Sequence, residues 1–245
     1  MSSHSSPRPP AARVVLLTGP SGSGKSSLAA RTGLPVLNLD DFYKDGTDPT
    51  LPVLPDGGTD WDSPLSWHAD AAVAAIGELC RTGRTAVPVY DIAASARTGE
   101  TVLDRGDAPL FIAEGVFAAD IAERCRTAGL LADALCLRGR PTTTFRRRLV
   151  RDLREGRKPV PVLLRRGLRL LRAERGIVAR HTALGAHPCA KPEALARIAA
   201  ARAADAGAGH AGAGHAEAGH AEAGRAGAGR AEGGHTVADA AEVCA

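Results

Sequence analysis

Apolar residues along the chain fall into short, mostly unbroken runs separated by stretches with helical spacing. Arg13-Val-Val-Leu-Leu-Thr18, Pro35-Val-Leu-Asn-Leu39, Pro109-Leu-Phe-Ile-Ala113 and Leu131–Leu137 are such runs. A run apolar on both faces predicts a strand buried on both sides, as in a parallel sheet. Thr85–Tyr90 is a further strand candidate. Between them, Lys25–Arg31 and Ile121–Thr127 read as helices, and Ala69–Arg81 carries Val73, Ile76, Leu79 and Cys80 at helical spacing. Residues 44–66 are rich in Pro, Gly and Asp and read as a loop. Strands alternating with helices predict an α/β domain with a parallel β-sheet and helices on both faces.

Farther along, an Arg-rich helix is predicted from Thr142 to about Glu155, interrupted by Pro159 and Pro161, with a second basic helix from Leu163 to Ala179. The domain is expected over 12–198, after a Ser/Pro-rich disordered leader at 1–11. From 199 the composition changes. Residues 206–235 are six Ala/Gly pentads ending in His or Arg. With no apolar side chain larger than Ala, this segment cannot offset its ordering entropy, and a glycine in every pentad opposes a helix. A flexible tail over 199–245 is the expectation. His210, His215, His220 and His235 read as part of an expanded repeat rather than a metal site.

Charge sharpens this picture. The 245 residues carry a net +4, but the tail from 199 holds three Arg against six acids, leaving +7 on the rest. Residues 138–180 hold fourteen Arg and one Lys against Asp152, Glu155 and Glu174. Such a cluster calls for an anionic partner, although the overall charge is too mild to demand nucleic acid or a membrane surface. Five scattered cysteines with no C-x-x-C pair fit a reducing compartment. No apolar run approaches membrane-spanning length, so a cytoplasmic protein with no membrane partner is expected.

The chemistry is most legible at Gly19-Pro20-Ser21-Gly22-Ser23-Gly24-Lys25-Ser26, which matches G-x-x-x-x-G-K-[ST] in full. It follows an apolar strand and opens a helix, the context a phosphate-binding loop requires. Backbone N–H groups of the loop, continuing to Ser27, are expected to cradle nucleotide phosphates. Lys25 would reach the β- and γ-phosphates and the Ser26 hydroxyl would bind Mg²⁺. Among 27 Arg and four Lys, Lys occupies the position where a compact point charge is wanted.

A phosphate loop alone leaves kinases, GTPases, transport ATPases and helicases open. The chain has one Asn, Asn38, and no Gln. It therefore lacks a guanine-reading N-K-x-D, a water-orienting Gln and a Gln-containing transporter signature. Transfer to a bound hydroxyl is the simpler chemistry. Asp40 and Asp41 follow the second strand, where a carboxylate faces the ligand crevice. There one could accept an acceptor proton or help hold Mg²⁺, or else merely cap a turn. Glu114, after Pro109–Ala113, is the acid in the Walker B position and a candidate water-mediated Mg²⁺ ligand.

These residues resemble the uridine kinases (uridine/cytidine kinases) and their phosphoribulokinase relatives. Asp40-Asp41-Phe42-Tyr43 matches a D-x-F-Y motif, Trp61-Asp62-Ser63-Pro64 an F-D-x-P element, and Pro88-Val-Tyr90-Asp91 through Arg97 a P-V-Y-D…R segment. Glu114-Gly115 matches the E-G after the Walker B strand, and Arg147-Arg148-Leu-Val-Arg151-Asp152 the R-R-x-x-R-D of a lid. The resemblance spans about 12–158 in family order. It implies a P-loop NTPase fold with an Arg-rich helical lid over about 138–180, using ATP and Mg²⁺. Asp40 would be the catalytic base, Asp62, Tyr90 and Arg97 would contact a nucleoside acceptor, and Arg148, Arg151 and Arg157 would close over the phosphates. Ser95 stands where uridine kinases place a base-recognising His, which opens the acceptor to a pantothenate- or sugar-like molecule. A nucleotide-binding regulator and a nucleic-acid-binding protein are the readings from other classes.

Overall fold

The computed structural model describes residues 10–138 and 175–217. In chain order the elements are β1 (Arg13–Thr18), α1 (Lys25–Arg31), β2 (Val36–Asn38), α2 (Ala69–Thr82), β3 (Arg84–Asp91), β4 (Ala96–Asp104), β5 (Leu110–Glu114), α3 (Ala122–Thr127), β6 (Leu131–Leu137), α4 (residues 175–183), β7 (His187–Cys189) and α5 (Lys191–Glu217). Short 3-10 turns occupy Leu39–Phe42, Pro64–Ser66 and Ala118–Ile121.

Among the described residues, five strands form a parallel sheet in the order β2-β5-β1-β6-β7. Strand β1 lies at its centre and is buried on both faces, which is why its sequence is an unbroken apolar run. Alternate residues serve opposite layers. Val14 and Leu16 join Ile76, Leu79, Ile121 and Cys125 from α2, α3 and the turn before α3. Val15 and Leu17 join Leu28, Ala29, Ala194 and Ile198 from α1 and α5. Helices thus cover both faces, and the expected α/β architecture holds.

The short edge strand β7 was not foreseen, and three longer elements depart from the sequence reading. Thr85–Tyr90, expected among the strands of the alternating pattern, lies in β3 outside the main sheet and pairs antiparallel with β4. Only residues 92–95 join the two strands, too few for the crossover that parallel pairing needs. Strand β4 itself was not foreseen, because Arg97–Val102 is exposed throughout and carries no apolar alternation.

The third departure is α5, which runs through the expected boundary at 199 and into the pentads. Ala194 and Ile198 are buried against the sheet. Arg197 makes a two-pronged contact with Asp133 of β6, at 2.9 and 3.1 Å, and Arg13 of β1 pairs with Asp205. These long-range contacts hold the helix through residue 205, just before the first pentad. The chain divides into a compact unit through Gly209 and a second from His210; the described part of the second, to Glu217, is helical.

The expected lid, with Arg148, Arg151 and Arg157, lies outside the described residues, as do the leader through residue 9 and the tail from 218. Of the basic helix expected over 163–179, residues 175–179 are described and belong to α4. Among the described residues, no helix is long and apolar enough to cross a membrane. Cys80, Cys125, Cys136 and Cys189 are free thiols buried in the core.

Candidate active site

The phosphate loop leaves β1 at Thr18 and enters α1 at Lys25. Gly19 has φ 137°, and a Cβ there would lie 2.4 Å from the Leu137 carbonyl oxygen of β6, so no side chain fits. Gly22 and Gly24 also have positive φ, 79° and 90°, which glycine adopts without steric cost. Gly24 caps α1 without a side-chain hydrogen bond, so no capping side chain competes for the first-turn N–H groups. Lys25 is buried, and its Nζ donates to the Gly19 carbonyl at 3.1 Å across the loop. Ser26 and Ser27 are exposed at the start of the helix. Ser23 is 3% exposed and its Oγ has no hydrogen-bond partner, a rare condition for a buried hydroxyl.

The carboxylates come from neighbouring strand ends. The Asn38 side-chain oxygen accepts the Asp40 N–H at 3.2 Å, and Asn38 Nδ2 donates to Asp41 at 2.9 Å. Asn38, not either aspartate, therefore caps the 3-10 turn, and the Asp40 carboxylate is left for another task. Asp40 Oδ1 accepts the Val116 N–H at 3.1 Å. A Cβ on Gly115 would lie 2.9 Å from that Oδ1 and 2.8 Å from Leu39 Cβ, so the glycine after Glu114 is what lets Asp40 dock. Glu114 is buried at the end of β5, in register with Leu17 of β1 and Asn38 of β2. Burial raises the Asp41 carboxyl above its ordinary range, opposed by the Asn38 hydrogen bond and reinforced by Asp40.

A cluster of aromatic rings flanks this edge. Tyr43 packs on Trp61 at 5.9 Å, Tyr90 at 6.0 Å and Phe117 at 5.8 Å. Its hydroxyl donates to the Trp61 carbonyl at 3.3 Å, and burial together with Asp40 and Asp62 pushes its ionisation well above the usual tyrosine range. Trp67 holds the base of the turn, donating from Nε1 to the Leu39 carbonyl at 2.7 Å. Tyr90 donates to the Lys44 carbonyl at 3.0 Å, with the Ser95 side chain beside its ring hydroxyl. Asp62 is exposed beside this cluster. Arg97, opposite Tyr90 in the hairpin register, pairs with Glu100. A cleft of about 360 Å³ between α2 and the hairpin is lined by Asp41, Tyr43, His68, Glu78, Arg97 and Glu100.

Of the residues singled out from sequence, the loop, Asp40 and Glu114 converge on the carboxyl ends of β1, β2 and β5, where ligands bind in open parallel sheets. Tyr90 and Arg97 sit on the hairpin, and Asp62 on the long loop before α2. Sequence reasoning overlooked Asn38 as the residue that arranges both aspartates; an Asn two positions before an Asp at a strand end is the signal that would have found it. It also overlooked His181, buried on α4 with Nδ1 3.2 Å from Thr18 Oγ1. A single histidine in an Arg-rich stretch carries no pattern that marks it.

No protein-family model matches the chain. A uridine kinase from Geobacillus kaustophilus (strain HTA426) is 29% identical over 150 residues, which are 58% of this chain and 68% of the relative. The crystal structure of a protein assigned as a fructose transport system kinase from Silicibacter sp. TM1040 overlays with a TM-score of 0.53 at 24% identity, covering 71% of this chain and 87% of that one. The overlay shows the P-loop α/β fold. The resemblance to uridine kinases, read first from five short motifs, extends to an alignment over more than half of the chain.

Proposed function

We propose that the protein is an ATP- and Mg²⁺-dependent small-molecule kinase, with the 5′-hydroxyl of uridine or cytidine as its acceptor. The observation that carries this reading is the placement of Asp40: a carboxylate freed from capping by Asn38, docked on the Val116 amide, at the strand ends that also present Glu114 and the phosphate loop.

The residues present fit a bound nucleotide. The three positive-φ glycines turn the loop, the Ser23 hydroxyl is buried without a partner, and the exposed Ser26 hydroxyl is free to meet a cation. Mg²⁺ would be held by Ser26, Glu114 and Asp40. Bound Mg-ATP supplies the transferable phosphoryl group and the charge that activates it. Asp40 takes the proton of the acceptor hydroxyl as its oxygen bonds to the γ-phosphorus; the bond to the bridging oxygen breaks and ADP leaves. Lys25 holds positive charge beside the loop, and Arg148, Arg151 and Arg157 add to it from the basic segment. Asp62, Tyr90 and Arg97 hold the acceptor, while Gly19 to Ser27 hold the phosphates.

A second acceptor class is favoured by one observation. Ser95 has φ 50° and presents a small hydroxyl where a base-recognising His would stack or donate. That suits a sugar-like polyol without a base. The test is a panel of acceptors under Mg-ATP with ADP release as readout, containing uridine, cytidine, purine nucleosides, simple sugars and pantothenate. Turnover on uridine or cytidine supports the nucleoside reading. Turnover on a sugar alone replaces the acceptor and keeps the kinase.

A further inference from the structure

His181 lies on α4, directly after the basic segment, yet it is 3% exposed and sits against the root of the phosphate loop. Its Nδ1 is 3.2 Å from Thr18 Oγ1 and 3.8 Å from Cys136 Sγ. Thr18 is the last residue of β1, immediately before Gly19. The same Thr18 hydroxyl is 3.2 Å from the Val116 carbonyl, and the Val116 N–H is the group that binds Asp40. A hydroxyl has one proton to give. If Thr18 donates it to Val116, the imidazole must donate from Nδ1–H to Thr18, and every group in the series is then satisfied.

We propose that His181, through Thr18 and Val116, is a positioning residue for Asp40, so that the helix following the basic segment sets the orientation of the catalytic carboxylate. The role rests on the kinase reading above, but the relay itself does not. Two further observations fit. Arg180, the preceding residue, pairs with Asp120 on the turn that follows Val116, so α4 holds that segment directly at Asp120 and through Thr18 at Val116. Burial, aided by Arg180 and Lys25 and opposed by Asp120, pushes the imidazole down to about 4, keeping it neutral near pH 7, as a one-donor ring in this relay must be.

The test combines four variants with two readouts. Thr18→Val and His181→Leu each break the relay at one link, His181→Asn keeps an N–H near the Nδ1 position, and Thr18→Val/His181→Leu breaks both. The first readout is hydrogen exchange of the Val116 amide in the ligand-free protein, which needs no activity. The second is kcat and KM for the acceptor found above, with nucleotide Kd measured by calorimetry.

Thr18→Val and His181→Leu are each expected to speed Val116 exchange and lower kcat by about tenfold, with nucleotide Kd changed less than about twofold. The double variant should be no worse than the worse single one, because partners in one network are not additive. His181→Asn should stay within about twofold of wild type. Unchanged Val116 exchange in Thr18→Val overturns the relay. Faster exchange with kcat intact, or His181→Asn as damaged as His181→Leu, leaves His181 a packing residue and overturns the positioning role. Should His181→Leu fail to fold, Thr18→Val alone decides both readouts. A wild-type protein that transfers no phosphoryl group would sink the kinase reading and with it the positioning role, while the exchange data would still decide whether the relay exists.

Discussion

Asp40 and Gly115 are packed so closely that a Cβ on the glycine would lie 2.9 Å from the Asp40 carboxylate oxygen. The acid and the glycine come from different strand ends, β2 and β5, and their contact fixes where the carboxylate points. It also gives the Glu114-Gly115 pair a steric reason: only a residue without a side chain lets the neighbouring turn close over it.

Gly115→Ala should therefore act on Asp40 more than on the fold. Overpacking of this kind costs about 1–3 kcal/mol. A displaced base should lower kcat by about tenfold to a hundredfold. Steady-state kinetics beside thermal unfolding checks both; full activity in the folded variant would mean that Asp40 does not need this seat.

Ser23→Ala should move stability and nucleotide affinity in opposite directions. Removing a buried hydroxyl that lacks a partner raises the stability of the ligand-free protein, by about 1 kcal/mol. If the hydroxyl serves the phosphates, the same change weakens ATP binding several-fold. Thermal unfolding with and without Mg-ATP reads both terms. A loss of stability in the ligand-free protein would contradict the assignment.

Ile198→Ala tests how α5 docks on the sheet. Ile198 is 3% exposed against the sheet, and truncating such a side chain costs about 2–5 kcal/mol. A change below about 0.5 kcal/mol in urea unfolding would contradict the packing of α5 against the sheet at this position.

Stability should also depend on pH through His181. Its folded ionisation lies near 4, below the ordinary 6.5 of an imidazole in an unfolded chain. The unfolded state therefore binds the proton first as pH falls. The stabilisation is fully present above pH 6.5, falls between 6.5 and 4, and is spent below 4. The span corresponds to a loss on the order of 3 kcal/mol. His181→Asn should flatten unfolding curves across that window, and an unchanged pH profile in the variant would contradict a buried neutral imidazole.

Much of this was legible from local pattern. Strand β1 and helix α1 fall on the expected residues, because a doubly buried strand and a glycine-rich turn are written in consecutive positions. The phosphate loop, Asp40 and Glu114 were legible for the same reason. What escaped depends on distant partners. Strand β4 is exposed over Arg97–Val102 without apolar alternation and exists through its pairing with β3. Helix α5 runs past the expected boundary at 199, and there Arg13 meets Asp205 across 192 positions, while Arg197 just before it meets Asp133 across 64. His181 reaches Thr18 across 163 positions, and nothing beside it in the sequence announces that contact.

The most direct test of the central claim is transfer of label from γ-labelled Mg-ATP to a small-molecule hydroxyl by the wild-type protein and by Asp40→Asn. Wild-type protein should label uridine or cytidine, and the Asn variant should fold and still bind ATP while losing about 10²–10⁴-fold in rate. Undiminished transfer by Asp40→Asn would remove Asp40 as the base. No transfer by wild-type protein to any acceptor, with ATP bound, would contradict the kinase account altogether.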